Sequence, residues 1–386
     1  MPSATTLMLG PKLPPPIPPQ LARPSRHDRE ATRDEHAGRR RTRMRRATLA
    51  PGMRIGPWRI ERELGRGGMA TVYAAVHTRF GKRAALKLAH RGALGEMFTP
   101  RDEANAYLRE ARIANLIEHP GVTEVFATGT YDGRPYLVME RLTGQTLDAR
   151  MDAGPMPHDE ALEILRELCD VLAASHAAGV THRDLKLDNV FLLHRPDSSG
   201  QRLKLLDWGM ARLAGEDDPL RGLIAGTLTY VAPEQVRGDD ITPAADLYAL
   251  AVLAYQLLLG RPPFTSPNDL ELLDKHLRDE PPAPHTLWPE IPAELDAVLV
   301  AMLAKQPADR PALARVAHAL AAARGQAAAP SPTVVIRRRW MATSVAAPAD
   351  LLGRTLLPWF ATPRHRTVSA ALGIMLTLAS VLVIGL

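Results

Sequence analysis

Cysteine is almost absent: the 386 residues include one, Cys169. That excludes an internal disulfide and a cysteine-built metal cluster, and it fits a reducing, cytosolic setting for the folded part. Cys169 lies in an apolar, helix-like stretch, so a packing role is expected rather than a reactive thiol. Aromatic residues are scarce too, at 5% of the chain. No uninterrupted apolar run lies near the start, so no secretory signal peptide is expected. Basic charge is missing where a nucleic-acid-binding fold would need it. The net charge is +6, yet residues 1–52 hold eleven Lys/Arg against four Asp/Glu, and residues 335–366 hold six Arg against one Asp. The middle therefore comes to about −6 by difference (6 − 7 − 5). The basic charge belongs to the flanks, and no nucleic-acid partner is expected.

A hydrophobic content of 46% is ample for a folded body, and the length allows two or three domains. Residues 1–52 read as a disordered tail. Pro14-Pro15-Pro16-Ile17-Pro18-Pro19 favours an extended polyproline segment, and the arginine block from Arg39 to Arg46 repels itself. Residues 53–324 read as the folded domain. Residues 325–366 form an Ala/Pro-rich basic linker, in which Leu351 to Phe360 suits either a membrane interface or a plain tether. The chain then runs uncharged from Thr367 to Leu386, twenty residues, which is enough to cross a bilayer. Arg364-His365-Arg366 on its N-terminal side would keep the folded domain in the cytoplasm, giving a single-pass membrane protein. With no residues left for an outer domain, the chain reads as tail-anchored or as a fragment. Ser369, Gly373 and Thr377 form a small-residue stripe compatible with helix pairing, hence with a homodimer.

The chemistry concentrates in His182-Arg183-Asp184-Leu185-Lys186-Leu187-Asp188-Asn189. An apolar helical segment, Ala161 to Ala178, precedes it and stops at Gly179; Val190-Phe191-Leu192-Leu193 follows as a buried strand. A polar cluster between a helix and a strand sits on a loop, where chemistry is usually placed. Asp184 can accept a proton from a hydroxyl, Lys186 can neutralise a transferring anion, and Asn189 offers oxygen to a hard cation. Those are the needs of phosphoryl transfer.

This loop resembles the H-R-D-L-x-x-x-N catalytic loop of eukaryotic-type protein kinases. Companion motifs appear in the family's order over residues 58 to 322. Arg59 to Leu64 alternates like a strand, and Gly65-Arg66-Gly67-Gly68-Met69-Ala70 leads into a second one, Thr71 to Val76. Glycines between two strands let a hairpin approach phosphate closely. The run resembles the family's glycine-rich loop, with Ala70 for the third glycine. Ala84-Ala85-Leu86-Lys87 resembles the phosphate-binding lysine strand, and Glu110 in the helical run Glu103 to Leu116 (the family's αC helix) is the implied partner of Lys87. Glu103 is the other carboxylate on much the same face, a turn too far toward the helix start. Val122 to Phe126 and Tyr136 to Glu140 flank Asp132-Gly133, a hairpin signal.

The resemblance implies an α+β, two-lobed fold: an antiparallel-sheet N-lobe with helix αC at about 58–141, a mainly helical C-lobe at about 142–322, and one C-terminal transmembrane helix. It implies a nucleotide site made by Leu64, Gly65, Arg66, Gly67, Gly68, Met69, Ala70, Val72, Ala85, Lys87, Glu110, Met139, Glu140, Leu142 and Phe191. It implies ATP, with Mg2+ or alternatively Mn2+ held by Asn189 and Asp207, and a catalytic set of Asp184, Lys186 and Asn189. Asp207-Trp208-Gly209 takes the place of D-F-G, and Trp for Phe brings a larger ring beneath the helix. Ala251 replaces a usual glycine. Asp246 matches the aspartate that braces the catalytic loop, and Arg310 is expected to pair with Glu234. Gly226 to Glu234 matches the end of an activation segment, and Thr227 with Lys186 favours Ser/Thr over Tyr in protein substrates. The wording around Gly67-Gly68-Met69 most resembles bacterial membrane-anchored Ser/Thr kinases. A pseudokinase scaffold and a small-molecule phosphotransferase are the other readings. The first would show lost motifs, and the second would lack the segment that docks peptides.

One more absence matters. From Trp208 through Gly226 there is no Ser, Thr or Tyr. Arg183, which in the family answers to a phosphate, is therefore expected either to find carboxylates in Glu216-Asp217-Asp218, with no phosphorylation needed in the central part of the segment, or to face a triplet that is plain solvated loop.

Overall fold

The computed structural model describes residues 49–92, 99–216 and 227–324. The tail 1–48, the linker and the apolar run 367–386 lie outside the described residues, as do Asp217, Asp218 and Gly226. The chain divides into units 1–49 and 50–386, and the described helices and strands all belong to the second. Among the described residues no helix is long and apolar enough to cross a membrane.

The first half is a six-stranded antiparallel sheet in the order β1-β2-β3-β4-β6-β5. Its strands are β1 (Arg54–Ile55), β2 (Trp58–Arg66), β3 (Ala70–His77), β4 (Arg83–Ala89), β5 (Val125–Tyr131) and β6 (Arg134–Glu140). β5 and β6 join through Asp132 and Gly133, both at positive φ (50° and 70°), the geometry of a two-residue hairpin turn. Between β4 and β5 lies helix α1 (Pro100–Leu116). It begins earlier than the expected Glu103, because Thr99 and Asp102 form a capping box and Pro100 opens the first turn.

Two expectations need correcting. The tail does not remain free to residue 52: Gly52 N–H donates to the Ile60 carbonyl at 2.8 Å, which lays residues 50–52 along β2. The expected strand Val122–Phe126 starts only at Val125. Val122 instead makes an isolated parallel bridge to Leu205, and β5 continues through Thr128-Gly129-Thr130. Their pairing with β6 holds those polar residues extended.

The second half is helical: α2 (Leu147–Asp152), α3 (His158–Ala177), α4 (Pro233–Arg237), α5 (Ala244–Leu259), α6 (Asp269–Arg278), α7 (Ala293–Met302) and α8 (Leu313–Ala323). α5 is its axis. Its residues Ala245 to Leu258 are buried on every face, and all but Asp246 and Gln256 are apolar or aromatic. Each fully buried leucine there contributes about 2 kcal/mol. α5 ends at Gly260 and α3 just before Gly179, both glycines at φ 74°, where a side chain would be strained. Cys169 is buried on α3 and burial pushes its thiol up to about 12, which makes it inert. Short ladders carry the loops between the halves: β7 (Gly144–Thr146), β9 (Val190–Leu193) and β10 (Leu203–Leu205) in the order β10-β9-β7, and β8 (Val180–Thr181) with β11 (Arg212–Leu213).

Candidate active site

Strand register puts the upper wall of the site on one face of the sheet. Gly65 pairs with Val72, Val72 with Lys87, and Ala85 with Met139. Directly paired residues share a face, and residues two apart return to it, so Gly65, Val72, Ala85, Lys87 and Met139 all look the same way. A Cβ on Gly65 would meet nothing within 4 Å, and one on Gly67 only the Ala70 carbonyl at 3.8 Å. Neither position has positive φ. Nothing in the protein's own packing demands glycine there; closeness to a ligand would.

Lys87 reaches across to two carboxylates. Its Nζ lies 2.7 Å from Glu110 Oε1 on α1 and 2.8 Å from Asp207 Oδ1. Glu110, not Glu103, is the partner. Burial works against the Lys87 ammonium, but Asp207 and then Glu110 outweigh it and raise its pKa. The same ammonium holds Asp207 down at about 2, against burial. For Glu110 burial is the larger effect and raises the carboxyl, with Lys87 opposing. The two carboxylates differ in access: the Asp207 side chain keeps 44% of its surface open, Glu110 only 10%. Gly209 makes the arrangement possible, because a Cβ there would sit 3.2 Å from Glu110 Oε2.

The catalytic loop is strained and braced. Arg183 and Asp207 are non-glycine residues at φ 69° and 61°, a conformation that costs about 1 to 3 kcal/mol and is kept only where surroundings enforce it. Asp246, fully buried on α5, supplies the enforcement at Arg183. Its Oδ2 accepts from His182 N–H at 2.9 Å and its Oδ1 from Arg183 N–H at 2.8 Å. His176 Nε2 stands 2.8 Å from the same Oδ2. At the other strained residue, Leu206 N–H donates to the Asn189 carbonyl at 2.8 Å, which ties the Asp207 turn to the catalytic loop.

Within the loop, Asp184 Oδ2 accepts from Lys186 Nζ at 2.7 Å and from Asn189 Nδ2 at 3.1 Å. Asn189 Nδ2 also donates to the Asp184 carbonyl at 2.8 Å, so its amide nitrogen is committed and Oδ1 is the atom left to accept. Asp184 Oδ1 makes no hydrogen bond among the described residues. Trp208 is buried, edge-on to His182 with ring centroids 4.6 Å apart, and its Nε1–H has no hydrogen-bond partner among the described residues. The larger ring is accommodated with α1 in contact range of Lys87.

One placement differs from expectation, that of Glu216; the other side chains around the site fall as follows. Glu140 turns its carboxylate away from the strand face: Oε1 accepts from Lys204 Nζ at 2.8 Å and from Glu124 N–H at 3.0 Å. Only its backbone is left for a nucleotide. Leu64 and Met69 are exposed, and Arg66 is held by Glu63 at 2.9 Å. Glu216 does not serve Arg183; it pairs with Arg112 and, at 3.8 Å, Arg109, both on α1. Arg109 Nη1 also donates to the Ala211 carbonyl at 2.6 Å. Leu142 and Phe191 are half-buried, Phe191 on β9 beside β7. His176, Arg109, Arg112 and Lys204 escaped sequence reading. Each works through a partner 64 or more residues away, and no local spacing signals that.

The geometry defines a phosphate-handling transferase cleft: an anchored ammonium, an open carboxylate and a carboxamide oxygen beside a loop aspartate. The protein kinase domain family matches residues 58–320, and the chain belongs to the protein kinase family. Among curated proteins it is 40% identical over 261 residues to the serine/threonine-protein kinase Pkn1 of Myxococcus xanthus, covering 67% of this chain and 37% of that one. It is 35% identical over 311 residues to PknD of Mycobacterium tuberculosis, covering 78% and 44%. The chain thus spans less than half the length of these relatives. The crystal structure of the Mycobacterium tuberculosis PknI kinase domain superposes with a TM-score of 0.54 at 29% identity, covering 72% of this chain and all of that one.

Proposed function

We propose that this chain is an ATP- and Mg2+-dependent Ser/Thr protein kinase, passing the γ-phosphoryl group to Ser or Thr hydroxyls of protein substrates in membrane-associated signalling. One observation carries the reading: Lys87 bridges Glu110 and Asp207 within a site whose other side is Asp184, Lys186 and Asn189. The charges that phosphoryl transfer needs are all present, which disfavours a pseudokinase. A magnesium ion fits the donor set, since Asn189 Oδ1 and the open Asp207 carboxylate are both hard oxygens. When bound, the ion neutralises phosphate oxygens; Mn2+ would suit the same donors.

The protein's own residues then divide the work. Lys87, fixed by Glu110, binds the nucleotide's phosphates, with the face of Gly65, Val72, Ala85 and Met139 against the nucleotide. Asp184 orients the substrate hydroxyl through its unoccupied Oδ1 and accepts the proton. Lys186, already 2.7 Å from Asp184, sits where it can neutralise charge on the group in flight. Gln235 Nε2 donates to the Arg183 carbonyl at 3.2 Å, coupling the segment after Thr227 to the catalytic loop. Thr227 is exposed next to that segment and, with Lys186, favours Ser/Thr substrates. We further propose that residues 367–386 anchor the kinase as a single-pass span with its domain in the cytoplasm, and that the span pairs two copies.

The test is transfer of labelled γ-phosphate from ATP with Mg2+ to a generic basic protein, with Asp184→Asn alongside. Transfer by the wild type and a loss of about 10³-fold in the variant are expected. A wild type that binds ATP but transfers nothing would establish the pseudokinase reading instead.

A further inference from the structure

The turn between β2 and β3 is held from outside by a residue that belongs to none of the kinase motifs. His90 follows the last residue of β4 and is buried. It grips the turn at three points. Its backbone N–H donates to the Met69 carbonyl at 2.8 Å. Its ring Nδ1 lies 2.9 Å from the Gly68 carbonyl, and its Nε2 lies 2.9 Å from Thr71 Oγ1. A carbonyl only accepts, so Nδ1 carries the proton and donates to Gly68, while Nε2 shares a hydrogen bond with the threonine hydroxyl. Both ring nitrogens are matched.

The consequence follows from peptide planarity. In a trans peptide the carbonyl and the next N–H point to opposite sides. Holding the Gly68 carbonyl toward His90 turns the Met69 N–H away from His90. Neither the Gly68 nor the Met69 N–H makes a hydrogen bond among the described residues. A glycine-bearing turn is otherwise free to flip its peptides, and each flip would exchange a donor for an acceptor at the tip. Lys87 lies on the strand that His90 ends, three residues earlier, so the strand that carries the phosphate-binding ammonium also sets the loop above it.

We propose that His90 is a positioning residue that presets the glycine-rich turn with its amide donors turned outward for the phosphates of the nucleotide. The inference rests on the kinase reading and adds a residue to it. It predicts a defect confined to phosphate recognition. His90→Ala in the full chain should raise KM for ATP about tenfold, the cost of freeing a hydrogen-bonded turn, with kcat within about threefold. Affinity for adenosine, which lacks phosphates, should stay unchanged. His90→Asn places an amide N–H near the position of Nδ1 and should restore KM to within about threefold of the wild type.

Wild-type KM in His90→Ala would overturn the inference. So would parallel losses of ATP and adenosine affinity, or an asparagine variant as impaired as the alanine one, since those mark a merely structural histidine. If the alanine variant does not fold, the asparagine variant decides: a wild-type ratio of ATP to adenosine affinity supports the inference and a fallen ratio sinks it. A wild type that binds neither ligand would strike the kinase reading itself, a result distinct from all of these.

Discussion

Two of the buried charge constellations among the described residues are built differently. Arg310 and Glu234 form a closed pair: Nη1 to Oε1 at 2.6 Å, Nη2 to Oε2 at 2.7 Å, side chains at 0% and 1% exposure. The Ala304 and Ala244 carbonyls take further arginine donors at 2.9 and 2.8 Å. The ring of Tyr248 lies 5.0 Å from the guanidinium, and its hydroxyl is 2.9 Å from His276 Nδ1. Lys87, Glu110 and Asp207 form an open cluster with one cation, two carboxylates and an accessible Asp207. A desolvated charge is tolerable only if its neighbours satisfy it. The closed pair meets that condition internally and so can do nothing but hold helices together. The open cluster leaves carboxylate oxygens to be met from outside, and that deficit is where a cation and phosphates would bind.

The contrast breaks most sharply under neutralisation. Asp207→Asn should cut phosphoryl transfer by about 10³-fold while the melting temperature holds or rises, because one carboxylate still answers Lys87. A fall in melting temperature as large as the fall in activity would erase the distinction. Arg310→Ala should do the reverse, destabilising the fold by about 3 kcal/mol by stranding a buried Glu234. Replacing both partners, Arg310→Met with Glu234→Leu, should recover most of it in urea titrations. If the double variant is as unstable as the single one, the pair holds the fold by more than mutual satisfaction.

Protonation separates the two regions again. Burial, helped by the charge of Lys305, pushes His276 down to about 3. The unfolded histidine takes a proton below about pH 6.5 and the folded one does not, so stability is complete above that value and is lost as pH falls toward 3. The expected slope is about 1.4 kcal/mol per pH unit, roughly 2 kcal/mol between pH 6.5 and 5. His276→Gln should flatten it, and equal slopes in both proteins would refute the assignment. The smallest effect belongs to Glu216. Its pairing with Arg112 and Arg109 links the start of the activation segment to α1, and thereby to Glu110. Glu216→Gln should lower kcat about fivefold with KM for ATP little changed. An unaffected kcat would show that α1 is held without it.

Several of these features were legible beforehand for a physical reason. Asp184, Lys186 and Asn189 lie within six residues, so one short loop must bring them together, and the flanking helix and strand announce themselves by periodicity. The Asp132-Gly133 turn and the stop at Gly179 are local steric facts. Pairings at long range were legible only where resemblance supplied them: Lys87 with Glu110, and Arg310 with Glu234. Elsewhere the reading erred or was silent. The lack of a phosphorylatable residue in the segment offers the run Glu216-Asp217-Asp218 to Arg183; Asp217 and Asp218 lie outside the described residues, and the course of the chain past β11 carries Glu216 to α1. No local signal marks His90.

Composition and local order therefore determined the absence of disulfides, the acidic body between basic flanks, the helical and extended segments, and the residue types available for chemistry. Those depend on sterics and hydrophobic period over a few neighbours, which the chain carries in itself. Only the tertiary structure decided which carboxylate Lys87 would share, which charges would be sealed and which left open, and which histidine would hold the glycine-rich turn. Those outcomes depend on strand register, on the reach of α1 over the sheet and on desolvation, none of which exists until distant segments pack.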